Sequence, residues 1–368
     1  MVITEINLYH IEMSLLTPFS TSYGTVKDRE LILIEAIDEN GLSGWGEVVA
    51  FSTPWYTEET IETCTHILET FLIPSVLNQM LEHPRDLQKH FAPIKRNNMA
   101  KAGLDCAVWD LYAKRLQKPL WDVLGGTRSK VEAGVVVGID QPDKMKEKIR
   151  EHLRDGYKRF KVKIKPGMDY ELIKVIREEF PELPLMADAN SAYTLQDISL
   201  LKRLDDFNLM MIEQPLQSDD IIDHATLQKA IKTPICLDES IVSFDDARKA
   251  IELGSAKIIN VKVGRVGGLT EAKRIHDYCV DKEIGLWVGG MLESGVSRAH
   301  NVALATLPQF HIPGDISASA RYWNKDVIMP EVTVDNGDIT VLNGPGIGYE
   351  VDVDYIKKIA KKIVAYKK

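Results

Sequence analysis

KVKIK (161–165), MADAN (186–190), MIEQP (211–215), CLDES (236–240) and NVKVG (260–264) are five short apolar runs, each broken by a charged side chain. Lys163, Asp188, Glu213, Asp238 and Lys262 follow one another at steps of 25, 25, 25 and 24 residues. A strand, a helix and two turns fill a step of that size, so each charged residue marks the end of a successive parallel strand. Further runs extend the series on both sides: VEAGVVVG (131–138), GLWVGG (285–290) and HIPGDI (311–316). Eight strands, seven of them followed by a helix-sized segment, are the arithmetic of a TIM-type barrel. A doubly wound open sheet is the alternative, but it ordinarily needs fewer strands. In a barrel the C-terminal strand ends form the active-site face.

The flanks read differently. LILIEAI (31–37) and GWGEVV (44–49) suggest antiparallel strands around the turn Asn40-Gly41. Apolar spacing predicts helices over 58–72, opened by Thr57, and over 98–115. Gly125-Gly126 looks like a boundary. After residue 320, EVTVDNGDITV predicts a hairpin around Asp335-Asn336-Gly337, and 353–367 reads as a basic helix. The expected fold is α/β, a (β/α)7β TIM-type barrel over 126–320 beside a mixed α+β region, 1–125, on which 321–368 would pack back.

The chain has 368 residues, enough for a large core. Its 45 Lys and Arg against 54 Asp and Glu give a net charge of −9, which argues against a broad nucleic-acid surface. No run of eighteen apolar residues suggests a membrane span, and MVITEINLYHIEMS does not read as a signal peptide. Cys64, Cys106, Cys236 and Cys279 lack CxxC spacing, which suits a reducing cytoplasm.

Three carboxylates on adjacent strand ends make a hard oxygen cage of the kind that suits Mg²⁺, and no Cys or His joins them. Lys163 and Lys262 flank the acids in strand order, so they can face each other across the mouth. A lysine base needs its ordinary pKa of about 10.4 pulled down, and a nearby cation does that; Lys161, Lys262 and the metal are the candidates. A lone strand-end carboxylate is ordinarily a cap, and a lone lysine is ordinarily solvated. Five charged ends in symmetric order are not explained that way. A non-catalytic metal-binding barrel would keep the carboxylates but gives no reason for opposed lysines.

These residues resemble the enolase superfamily, in its muconate-lactonising-enzyme subgroup. The resemblance lies closest to the o-succinylbenzoate synthase / N-acylamino acid racemase branch. It rests on KVKIKPG (161–167), DAN (188–190), IEQP (212–215), LDES (237–240), NVKVGRVGG (260–268), GGMLESG (289–295) and GDISAS (314–319), with AVWDLYAK (107–114) and LGG (124–126) before them. It implies that Asp188, Glu213 and Asp238 bind Mg²⁺, with Mn²⁺ as a substitute, to stabilise an enediolate. A Lys or His base working beside Mg²⁺ is the general pattern of enolase-superfamily sites. The resemblance also implies that Lys163 and Lys262 sit on opposite faces of the substrate α-carbon. Lys161, Asn190 and Glu239 would support them. The resemblance further implies a modified TIM barrel whose mouth is covered by an α+β capping domain built from 1–125 and 321–368, with segment 17–25 as a lid loop and Phe19, Ser20, Tyr56, Gly290, Met291 and Asp315 lining the substrate. GGMLESG has no His, unlike the mandelate racemase subgroup. Ser317 stands where the dipeptide epimerases carry their second Asp, which disfavours a free α-ammonium substrate. The expected substrate is a small carboxylate, and the expected reaction is dehydration to o-succinylbenzoate in menaquinone synthesis, or racemisation of N-succinylamino acids. The branch also implies a homo-oligomer, dimer or octamer.

Overall fold

The computed structural model describes residues 1–21, 24–138 and 140–367, without the side chains of 19–21 and 24. Three antiparallel strands begin the chain: β1 (Ile3–Thr21), β2 (Gly24–Asp38) and β3 (Ser43–Val48). The turn after β2 is held by the Asp38 carboxylate, which accepts from the backbone N–H of Asn40 and Leu42 at 2.9 and 3.0 Å. The helix Asn98–Arg115 lies directly on β3. A Cβ at Gly46 would stand 2.1 Å from the Gly103 carbonyl, so only glycine allows this approach.

The first predicted helix is shifted toward the C-terminus, reaching Val76, and is less regular than its spacing suggested. It starts at Ile61, capped by Thr60 rather than Thr57, and is α-helical to Ile67. The Glu59 carboxylate is turned away to cap the other helix, accepting from Met99 N at 2.9 Å. The helix then widens into a π turn at Leu68–Leu72, just before Pro74, which has no N–H to donate.

The barrel follows. β4 (Lys130–Glu132) precedes seven parallel strands: β5 (Gly134–Val137), β6 (Arg159–Lys163), β7 (Leu185–Asp188), β8 (Ile212–Glu213), β9 (Ile235–Leu237), β10 (Ile258–Val261) and β11 (Gly285–Val288). They are hydrogen-bonded in that sequence order. The eighth run, 311–316, forms no ladder, because Pro313 lacks an N–H. It still closes the barrel: Gly134 N donates to Gly314 O at 2.7 Å, and Asp315 N to Val288 O at 2.9 Å.

Three expectations are corrected. Residues 17–21 and 24–25 belong to β1 and β2 rather than to a loop, with Phe19 opposite Val26 and Ser20 opposite Thr25. Ser22 and Tyr23, and the side chains of Phe19 and Ser20, lie outside the described residues, so the lid contacts expected of them do too.

The predicted hairpin at 331–341 keeps its turn, with Asn336 and Gly337 at φ 49° and 75°. Its second arm pairs elsewhere, however. Strand β12 (Ile328–Met329) comes first, and β13 (Asp338–Thr340) then joins β4, where Ile339 opposite Val131 buries both side chains. β14 (Glu350–Val351) pairs with β12.

The predicted basic helix stops at Ile359, and β15 (Ala360–Lys367) adds to the free edge of β1. Val364 and Tyr366 favour a strand. Lys361 and Lys367 meet Glu12 and Glu5 at 2.5 and 2.9 Å across the seam.

Cap and barrel meet over buried carboxylates. Glu47, at the end of β3, accepts from Ser294 N at 2.9 Å, Ser294 Oγ at 2.6 Å and Ser297 N at 3.0 Å, capping the helix Gly295–Ala305. Burial first pushes the Glu47 carboxyl up to about 7, and the donors at Ser294 and Ser297 oppose the rise. Between its unfolded value of about 4.3 and about 7 the folded state holds the extra proton, so stability falls as pH rises through that window. Comparing urea unfolding at pH 5 and pH 7.5 checks this. Glu47→Gln should make the fall smaller, the remainder belonging to other carboxyls that burial pushes up, Asp105 and Glu213, and an equal fall in the variant would contradict it.

Candidate active site

The β6–β8 register sets Lys163 beside Asp188, and Asp188 beside Glu213. Period-two alternation puts Lys161 on the same face as Lys163. Lys163 leads into the ring at one side: its Nζ lies 2.7 Å from Asp188 Oδ2 and also donates to Asn190 Oδ1. Asn190 Nδ2 in turn donates to Glu239 Oε1 at 2.9 Å. Lys262 follows β10, four strands beyond β6 in the sheet order and therefore across an eight-stave barrel. A Cβ at Gly289 would stand 2.8 Å from the Lys262 stem, so glycine leaves the room in which this side chain lies.

Lys262 Nζ meets Asp238 Oδ2 at 3.0 Å and donates to the Tyr56 hydroxyl at 2.6 Å. Arg265 completes this corner. Its Nη1 lies 2.6 Å from Asp238 Oδ1, and its Nη2 donates to Tyr56 Oη. Tyr56 is thus brought from the cap onto a barrel lysine. Arg265 was not singled out from the sequence, although it sits three residues after Lys262 inside the quoted VKVGRVGG. Asn260, which donates to Glu213 Oε1 at 2.8 Å, was also missed, as was Gln214, whose Oε1 accepts from Asp238 N at 3.0 Å.

Lys161 is buried among anions, 3.2 Å from Glu213 Oε2, 3.4 Å from Asp188 Oδ2 and 2.7 Å from Asp315 Oδ2. Asp315 also pairs with Arg159, so both of its oxygens are taken by the protein. Its expected place as a substrate contact is not what the geometry provides. Met291 is buried in the core, and Gly290 packs against the Asp315 carbonyl, where a Cβ would stand 2.6 Å away.

The paired carboxylates set the charge of two of the lysines. Burial would lower the Lys262 pKa, but the charge of Asp238 outweighs it and the ammonium is held above its ordinary value. Burial likewise opposes, and Asp315, Glu213 and Asp188 override, at Lys161. Both cations are paired with the carboxylates expected to hold a metal. Among the described residues, no three His, Cys, Asp or Glu side chains stand at metal-holding geometry. The donor set nevertheless fits a hard divalent cation. Burial, then the Asp188 charge, push Glu213 up to about 8, with Asp238 adding to the rise. Three buried carboxylates that repel one another on adjacent strand ends are an oxygen set that positive charge relieves.

Residues 3–125 match the family described as mandelate racemase / muconate lactonizing enzyme, N-terminal domain, and residues 144–355 match the enolase C-terminal domain-like family. This chain belongs to the enolase superfamily. Its superfamily relatives include an o-succinylbenzoate synthase of Bacillus subtilis, 58% identical over 98% of this chain and 97% of that one. An N-succinylamino acid racemase of Thermus thermophilus is 47% identical over 95% of each chain. A crystal structure of an enolase superfamily member from Listeria innocua superposes with a TM-score of 0.97 at 42% identity, covering 100% of this chain and 99% of that one.

Proposed function

We infer that this enzyme is an o-succinylbenzoate synthase whose site also racemises N-succinylamino acids. The observation that carries the reading is the pair of lysines at strand ends on opposite sides of three carboxylates. Asp188, Glu213 and Asp238 would hold Mg²⁺, with Mn²⁺ as a substitute. That ion supplies positive charge for a substrate carboxylate as it becomes an enediolate.

The lysines do the proton work. In dehydration of 2-succinyl-6-hydroxy-2,4-cyclohexadiene-1-carboxylate, Lys163 Nζ removes the α-proton, and the C–H pair becomes the electrons of the enediolate. The Lys163 ammonium then returns a proton to the departing hydroxyl on the same face. The C–O bond breaks, water leaves, and the ring becomes aromatic. Lys262 stays a cation near the ring. In racemisation one lysine takes the α-proton and the other delivers one to the opposite face, so both must exchange protons. Lys161 supports the substrate carboxylate, and Asn190 and Glu239 orient Lys163.

Racemisation as the main role is the second reading, supported by the direct hydrogen bond from Lys262 to Tyr56, which aims a second acid/base group from the far side. A menaquinone-pathway role, a cytoplasmic home and homo-oligomerisation complete the proposal; four free, buried cysteines support a reducing compartment. Residues 1–125 and 321–368 would act as the cap over the 126–320 barrel. The test is NMR in D₂O with Mg²⁺. Loss of the α-proton signal of an N-succinylamino acid, together with formation of o-succinylbenzoate from the cyclohexadiene, is expected. A protein that carries out neither reaction would sink the reading.

A further inference from the structure

We infer that Arg159 and Asp315 are a positioning pair for Lys161, and through it for the substrate carboxylate. This rests on the site reading above. Arg159 opens β6 and is wholly buried, two residues before Lys161 on the same strand face. Its Nε donates to Pro313 O at 2.9 Å and its Nη2 pairs with Asp315 Oδ1 at 2.5 Å. The guanidinium also lies over the Trp287 ring, 4.7 Å from the centroid, and Lys161 Nζ lies over the same ring at 5.2 Å. A Cβ at Gly134 would stand 2.3 Å from the guanidinium, so β5 leaves space for this cation.

Asp315 joins the two cations. One oxygen holds Arg159, and the other meets Lys161 Nζ at 2.7 Å, the shortest of the three ion pairs that Lys161 makes. Asp188 and Glu213, the other two anions on Lys161, belong to the set proposed to hold a divalent cation. Asp315 is therefore the partner that keeps Lys161 in place while those carboxylates serve elsewhere. Arg159, anchored by a backbone carbonyl and an aromatic face, fixes Asp315 in turn. The barrel's eighth stave thus acts on the substrate end of the site without touching substrate.

Asp315→Asn, Arg159→Met and the double variant test this, with Tm and steady-state kinetics in both reactions at saturating Mg²⁺. In Asp315→Asn, a buried guanidinium loses its counter-charge. Tm should fall, and kcat/KM should drop at least tenfold in dehydration and racemisation alike, because both reactions share the carboxylate. The double variant removes both charges. It should regain wild-type Tm while kcat/KM stays at least tenfold down, since Lys161 still lacks its partner. A pair that served only barrel stability would regain both. Recovery of kcat/KM in the double variant, or Asp315→Asn within twofold of wild type, would overturn the inference. A wild-type protein that performs neither reaction would instead fail the site reading, and the inference with it.

Discussion

Lys163→Ala should lose dehydration and racemisation together, each by roughly 10³-fold or more, at the upper range for removal of a general acid–base group. In the proposed dehydration the neutral Lys163 amine removes the α-proton and the ammonium so formed protonates the leaving hydroxyl, so one substitution takes out two proton transfers. In racemisation it removes one of the two faces. The lysine is only partly buried and is held by Asp188 and Asn190, so the shortened side chain should leave the barrel folded. Circular dichroism and Tm close to wild type, with both kcat values collapsed, is the expected pattern. A variant retaining a tenth of wild-type dehydration would show that another group takes the proton.

Stripping the divalent cation should be as severe. Lys163 and Lys262 lie 2.7 and 3.0 Å from Asp188 and Asp238, and burial, then the Asp188 charge, push the Glu213 carboxyl up to about 8, so positive charge is needed among these carboxylates. Dialysis against EDTA should cut both activities to about 1% or less, a barrier increase of about 2.7 kcal/mol, and Mg²⁺ or Mn²⁺ should restore them. Tm should rise as the ion returns, since binding to the folded state alone stabilises it. Full activity in protein shown by elemental analysis to be metal-free would contradict the assignment of the three carboxylates.

The regular spacing from Lys163 to Lys262 was enough to read the barrel, because each β/α unit is a local event and its strand end carries a charge that burial makes conspicuous. The tail was harder. Residues 353–367 suit a helix by local spacing, yet from Ala360 they pair with β1, where Val364 stands opposite Leu8. That choice depends on an open sheet edge built by residues at the other end of the chain. Eighth-stave Asp315 was legible as a charged strand end but not as the partner of Arg159, because the bond between them spans 156 positions. Arg265 reads locally as an ordinary basic residue; its role emerges only where Tyr56 arrives from the cap, 209 residues away. The Glu47 contact with Ser294 spans a similar distance. Long-range polar pairing, rather than element type, is what the local pattern leaves undetermined.

Lys163 and Lys262 should address opposite faces of one α-carbon, and the proposed chemistry stands or falls on that arrangement. Deuterium exchange of the α-proton, followed by NMR from pure L and pure D N-succinylamino acid separately, tests it most directly. Wild type should exchange both. Lys163→Ala should exchange only one enantiomer and Lys262→Ala only the other, with neither variant racemising. If Lys262→Ala exchanged both enantiomers, or continued to racemise, the two-faced arrangement would be wrong.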